Sequence, residues 1–316
     1  MIGFGFATSH APGMFCPADV WPSVYASIPD YTKASQPHTA KLETRELIES
    51  YIARIDAAFA RIGRELEAYR PDAIIAVGDD HDDVFGSANT PTFALFSGPS
   101  IWGASASPYL KEPPEKSRVE IGIQSELADA LAQGLVKRGF DISVCREFVA
   151  QGRRHPEMGF SHSVILPYTR IVPKLDVPIV PLILNANYPP LPSARRCWDL
   201  GRALADICGK RPERIAVMGS GGMSHDPFGP RAGWVDEPLD AWVFDRIEAN
   251  ESEELTQLFT FDSATLRGGT GELRTWIVAA GACRWAGRKL DYIPAHHVKT
   301  ALGFCLWPDM GRTGEG

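Results

Sequence analysis

Apolar and polar positions along this chain follow two periods that alternate with each other. From about Leu42 to Tyr69 the apolar residues Ile48, Ile52, Ile55, Phe59, Ile62 and Leu66 recur at spacings of 4, 3, 4, 3 and 4, which places them on one face of a helix. Pro71 closes that pattern and the run Ala73 to Val77 follows. This run is too short for a helix, rich in β-branched residues and apolar throughout, so it predicts a strand buried on both faces. The same step repeats downstream. The pattern predicts a helix from Glu120 to Arg138, strands near Ile142 and over Val177 to Leu184, a helix over Ser193 to Gly209 and a strand over Arg214 to Met218. Helices near Leu239 to Glu248 and Gly271 to Gly287, with strands around Tyr292 and Gly303 to Leu306, complete the series. Such alternation predicts an α/β fold with a central, mostly parallel or mixed sheet flanked by helices on both faces. No Gly/Ser-rich or charge-rich linker and no internal repeat divides the 316 residues, so residues 1–316 are expected to form a single domain. Two irregular stretches, Ala11 to Lys41 and Asp82 to Ser117, are long for loops and are expected to serve as covers or interface arms.

Composition narrows the function classes. With 44% hydrophobic and 22% charged residues the chain can bury a sizeable core. Its formal net charge of −7 argues against a nucleic-acid partner or an anionic membrane surface. The longest apolar runs, such as Val177 to Leu184 and Trp276 to Cys283, fall short of the ~20 residues of a membrane span, so no membrane partner is expected. The N-terminal segment MIGFGFATSHAPGMF has no basic region and reads as a first strand, not a signal peptide. Cysteines 16, 145, 197, 208, 283 and 305 are scattered without a CxxC pair, which fits reduced thiols in a cytoplasmic protein.

Candidate chemistry lies at the strand ends. His10 ends IGFGFATSH, His81 ends AIIAVGDDH and His225 ends RIAVMGSGGMSH. Each therefore falls just past the carboxyl end of an apolar strand, the edge at which open α/β sheets bind ligands. Neutral imidazoles are common ligands of Fe, Zn and Cu, and one nearby carboxylate would complete a facial set with open positions. Asp79, Asp80, Asp82 and Asp83 flank His81, Asp226 follows His225, and Asp236 and Glu237 come slightly later. The acids around His81 also fit a solvated turn. The segment GSGGMS at 219–224 is not a dinucleotide fingerprint, because Pro227 and Pro230 break the helix that should follow. Thr270 and Gly271, in a glycine-rich turn before a helix, are candidates for contact with an anionic group of the substrate, although a plain helix cap also accounts for them. Arg153, Arg154 and His155 could hold a carboxylate or be simple surface charge.

Taken together, TSHAPGM at 8–14, GDDHDD at 78–83, SHSVILP at 161–167, MGSGGMSHDP at 218–227, GWVDEPLDAWVFDRIE at 233–248 and GTGELRTWIVAAGA at 269–282 resemble the class III extradiol ring-cleavage dioxygenases, the superfamily of the protocatechuate 4,5-dioxygenase catalytic β subunit. The motifs occur in the family's order from residue 1 to about 290. The resemblance implies a mononuclear non-haem Fe(II) held by His10, His81 and Glu237. Asp236 is the alternative third ligand, because Glu237 stands three residues before Asp240 where relatives often show two. It also implies His225 as catalytic acid/base and His162, five residues before Pro167, as a pocket residue. The implied reaction is cleavage of a catechol-type ring, such as a protocatechuate-, gallate- or methylgallate-like diol, by O₂ to a ring-opened semialdehyde acid. An aminophenol-type ring would also suit the iron. From a different class, a zinc-dependent hydrolase uses a similar His, His and Glu set, and a non-catalytic interaction protein could keep the fold. The expected partners are the small aromatic substrate and O₂, in a homodimer or higher homo-oligomer or beside a separate small subunit.

Overall fold

A computed structural model of the chain describes residues 1–86, 89–151 and 156–308. Ten strands are described: β1 (Ile2–Thr8), β2 (Ala73–Asp79), β3 (Phe93–Phe96), β4 (Ser100–Ala104), β5 (Arg118–Gly122), β6 (Ser143–Cys145), β7 (Ile179–Leu184), β8 (Ile215–Ser220), β9 (Arg288–Ala295) and β10 (Thr300–Trp307). The helices are α1 (Trp21–Ala26), α2 (Asp30–Ser35), α3 (Arg45–Tyr69), α4 (Ser125–Val136), α5 (His162–Ile171), α6 (Ala194–Cys208), α7 (Glu237–Glu248) and α8 (Leu273–Cys283). Eight strands form one sheet in the order β6-β3-β7-β2-β8-β1-β10-β9, and β4 and β5 form a separate two-stranded ribbon.

The centre of the sheet is parallel: β7, β2, β8 and β1 pair in one direction. Antiparallel β10 and β9 extend one side, while β3, antiparallel to β7, extends the other. Every residue of β1, β2, β7 and β8 is buried, as expected for strands covered on both faces. α8 packs on β1, β2 and β8 with α6 against it, and α3 and α5 pack together on the opposite face. Two glycines on adjacent strands report this sandwich. A Cβ at Gly78 would meet Ser163 and Val164 of α5, and one at Gly219 would meet Thr275 and Ala279 of α8. The result is one α/β domain with a mixed eight-stranded sheet.

α3 begins at Arg45, not Leu42, because the Thr44 hydroxyl accepts the Leu47 N–H at 3.3 Å and caps the helix there. It ends where Arg70 turns left-handed ahead of Pro71. The helix expected over Glu120 to Arg138 is two elements. Val119 and Ile121 alternate with polar neighbours on β5, which pairs with β4, and α4 starts only at Ser125. Proline-rich surroundings hide β3 and β4 from periodicity, and both lie inside the stretch read as irregular. The other irregular stretch holds a 3-10 turn over Pro12–Phe15 plus α1 and α2, anchored by the fully buried Trp21. No described helix is long and apolar enough to cross a membrane. All six cysteines are unpaired.

Between α2 and α3 the buried Glu43 accepts the backbone N–H groups of His296 at 2.6 Å and His297 at 3.0 Å. Burial pushes its carboxyl up to about 7 despite these donors. The folded state then holds a proton that the unfolded chain releases near pH 4.5, so stability must fall as pH rises through that window. The expected contribution is about 3 kcal/mol lost between pH 4.5 and 7. Urea midpoints of wild type and Glu43→Gln across pH 5 to 8 check it: the wild-type curve should drop more steeply, and parallel curves would remove Glu43 as the source.

Candidate metal centre and active site

β1, β2 and β8 lie side by side, and the chain beyond their carboxyl ends turns His10, His81 and His225 into one crevice. His10 Nε2 and His81 Nε2 stand 3.1 Å apart. Glu272, the last residue of the 3-10 turn Gly268–Glu272 ahead of α8, brings Oε2 to 3.4 Å from His10 Nε2 and Oε1 to 3.6 Å from His81 Nε2. Asp79, at the end of β2, places Oδ1 3.7 Å from His10 Nε2 and Oδ2 3.1 Å from His81 Nε2. One ligand atom from each of His10, Asp79, His81 and Glu272 lies within 4.8 Å of all the others.

These spacings fit a cation. Donors about 2.1 Å from a common ion and at right angles to each other are about 3 Å apart. Asp79 Oδ1 is buried without a hydrogen-bond partner, an arrangement that costs free energy unless a positive charge faces it. Burial pulls the His10 imidazole well below its ordinary pKa, so it stands neutral, as a ligand must. For His81, burial opposes the charge but Asp79 and Glu272 outweigh it and push the imidazole up to about 10, so an ion that binds there must displace the ring proton. Burial likewise opposes ionisation of Glu272, yet His225 draws its carboxyl down to about 2. A carboxylate that stays ionised in a closed pocket is suited to a metal.

Glu237 is not in this cluster. It is the first residue of α7 and is exposed. Asp236 caps α7 by accepting the Leu239 N–H at 3.1 Å and also accepts the Thr265 hydroxyl at 2.8 Å. The buried Asp240 accepts both the N–H and the hydroxyl of Ser224. This acidic segment therefore fastens the turn before His225 and supplies no donor to the cluster. The carboxylates that stand beside His10 and His81 are Asp79 and, inside the GTGELRTW segment, Glu272. An acid at the last polar position before a wholly buried helix was the available signal.

The remaining acids near His81 divide by role. Asp80 accepts the backbone N–H groups of Asp83, Val84 and Phe85, which holds the turn carrying His81. Asp83 Oδ2 accepts His162 Nδ1–H at 2.8 Å. Burial alone would raise Asp83, but His162 outweighs it and keeps the carboxyl well below the usual range. His162 opens α5, and its ring stacks on His81 with centroids 4.6 Å apart. His10, His81 and His162 form a second close set of potential ligand atoms.

His225 faces the cluster from a third side. Its Nδ1–H donates to the Met223 carbonyl oxygen at 2.9 Å, and Nε2 lies 3.2 Å from Glu272 Oε1. Gly222 and Gly269 flank this ring so closely that a Cβ at either would fall within 2.5 Å of it. Gly222 of the GSGGMS segment thus forms, with Gly269, a slot for the imidazole. Thr270 exchanges hydrogen bonds with the His225 backbone, its hydroxyl accepting the N–H at 3.1 Å. Gly271 lies against the Ala186 carbonyl and accepts Arg274 Nη1–H at 3.0 Å. Neither residue lines the cavity, and their contacts hold the framework around His225 and Arg274. Arg153, Arg154 and His155 fall outside the described residues.

The cavity over the cluster has a volume of about 510 Å³. Its walls include Pro12, Tyr109, Phe160 and Phe228, enough apolar surface to hold a small flat ring.

Residues 31–303 match the family described as the catalytic LigB subunit of aromatic ring-opening dioxygenase. The chain belongs to this family. It is 30% identical over 167 residues to gallate dioxygenase of Pseudomonas putida, covering 51% of this chain and 46% of that protein. It is 29% identical over 200 residues to the 2,3-dihydroxyphenylpropionate/2,3-dihydroxicinnamic acid 1,2-dioxygenase of Mycolicibacterium paratuberculosis, covering 62% of this chain and 56% of that protein. The chain thus spans about half the length of these relatives. Its fold is similar to that of the uncharacterized protein JW3007 from Escherichia coli K12, with a TM-score of 0.51, 17% identity, and coverage of 79% of this chain and 91% of that one. Enzymes of the family are metal-dependent, and the His/Asp/Glu cluster supplies the donors such an ion needs.

Proposed function

We propose that this protein is an Fe(II)-dependent extradiol dioxygenase that opens the ring of a catechol-type substrate with O₂ to give a ring-opened semialdehyde acid. The observation that carries the reading is the convergence of His10, His81 and Glu272 at one end of a ring-sized cavity, with a fourth imidazole, His225, beside them. Gallate and dihydroxyphenylpropionate dioxygenases among its relatives support the substrate class.

His10, His81 and Glu272 would hold the ion, and Asp79 adds a second carboxylate to the donor set. When bound, ferrous iron supplies Lewis acidity toward the diol oxygens and the electrons that activate O₂. The chain's own groups do the rest. The Ser220 hydroxyl, 3.2 Å from His10 Nδ1, orients that ring so that Nε2 faces the cluster. The Met223 carbonyl holds the Nδ1 proton of His225, which leaves Nε2 as the atom that takes a proton from a bound hydroxyl and returns it later. Asp83 fixes His162 by the same device and keeps its ring flat against His81. Phe160, Met158 and Tyr109 line the cavity and keep bulk water off the reacting ring.

The reading is tested by oxygen uptake of anaerobically reconstituted ferrous protein against a panel of catechols and aminophenols. Oxygen consumption with yellow ring-opened products is expected with iron and absent with zinc. Equal activity with zinc, or hydrolysis without oxygen, would overturn it. A separate expectation concerns Asp79: Asp79→Asn should weaken metal binding by about 10- to 100-fold, measured by cobalt titration against a chelator, because it removes the charge opposite His10.

A further inference from the structure

Lys299 is the one lysine or arginine among the described residues that line the cavity. It is 4% exposed. Its Nζ donates to Ser27 Oγ at 3.2 Å and stands 5.4 Å from the centroid of the Phe228 ring, itself part of the cavity wall. No described carboxylate pairs with it. Burial pulls its pKa down, with no neighbouring charge to oppose the effect. An ammonium buried against one hydroxyl and an aromatic face is costly, and the cost is relieved when an anion arrives.

The backbone fixes where this charge sits. Lys299 has φ 65°, a left-handed conformation rare for a side chain of this size, at the turn between β9 and β10. Its N–H donates to the His296 carbonyl at 3.1 Å, and Glu43 grips the two preceding N–H groups of His296 and His297. Two residues on, Ala301 exchanges backbone hydrogen bonds of 3.2 Å with Met223 and Ser224, the residues that lead into His225. The ammonium is therefore tied to the same framework as the candidate acid/base. Ser27, the hydroxyl that holds it, comes from the end of α1 in the 11–41 stretch.

We infer that Lys299 is a specificity-determining residue that binds a carboxylate carried by the aromatic substrate, so that this chain favours aromatic acids over neutral diols. The inference rests on the ring-cleavage reading for the aromatic partner, while the preference for a negative charge comes from Lys299 alone. A charge-assisted hydrogen bond of this kind is expected to give at least about a tenfold preference.

The test is calorimetric binding, without oxygen, to the zinc-loaded protein. The probes are 3,4-dihydroxybenzoate, 3,4-dihydroxyphenylacetate and 3-(2,3-dihydroxyphenyl)propionate, each paired with its neutral amide. Wild type should bind at least one acid about tenfold or more tightly than its amide. Lys299→Met should bring that ratio close to one, and Lys299→Arg should keep it above one. Equal affinity of wild type for every acid and amide pair, an undiminished preference in Lys299→Met, or no binding of any acid would overturn the inference. The wild-type comparison needs no variant, so a poorly folded Lys299→Met leaves it decisive. An acid preference in a ferrous enzyme that consumes no oxygen with any probe would instead strike the ring-cleavage reading and leave Lys299 as an anion site.

Discussion

Glu272→Gln is expected to lower metal affinity on the order of 100-fold or more and to abolish oxygen uptake, whereas Glu237→Gln should leave both unchanged. The glutamine keeps the size of the side chain and an oxygen to accept the Gly222 N–H, 2.7 Å from Oε2. What it removes is the negative charge that faces His10, His81 and His225 within 3.6 Å. Glu237, exposed at the head of α7, carries no such burden. Metal analysis after dialysis, with cobalt titration of each variant, reads the difference. Retention of a full complement of metal by Glu272→Gln together with its loss from Glu237→Gln would reverse the assignment.

The second large effect is expected at His225. Phenylalanine there keeps a flat ring in the slot between Gly222 and Gly269 but has no nitrogen to exchange a proton. Turnover of His225→Phe should fall by about 10² or more with metal content intact, the usual scale for loss of a positioned acid/base. Oxygen uptake at saturating substrate, beside metal analysis of the same sample, separates this role from a structural one. Wild-type turnover would exclude the role. Loss of metal in step with activity would make His225 part of the ion's support instead.

Much of the site was legible because short-range rules place it. His10, His81 and His225 follow strands whose apolar runs are unmistakable, and a residue just beyond a parallel strand lies at the ligand-binding edge whatever the rest of the fold does. Family motifs then joined these histidines to one chemistry. Glu237 shows where such reading stops: it lies in an acidic segment near His225 in sequence, yet α7 turns it outward to solvent while Asp236 and Asp240 fasten the neighbouring turn. Glu272 and Lys299 lie 47 and 74 residues beyond His225 by number (272 − 225 and 299 − 225). Only the packing of α8 on β8 and the pairing of β10 with β1 bring them back to it.

By itself the sequence determined the alternation of helix and strand, the burial of the central strands and which strand ends carry imidazoles, since each depends on neighbours a few residues apart. Which carboxylate meets those imidazoles, and that a buried ammonium shares their cavity, was decided by the tertiary structure. Convergence of side chains from distant segments depends on strand order and helix packing, and no local period records either.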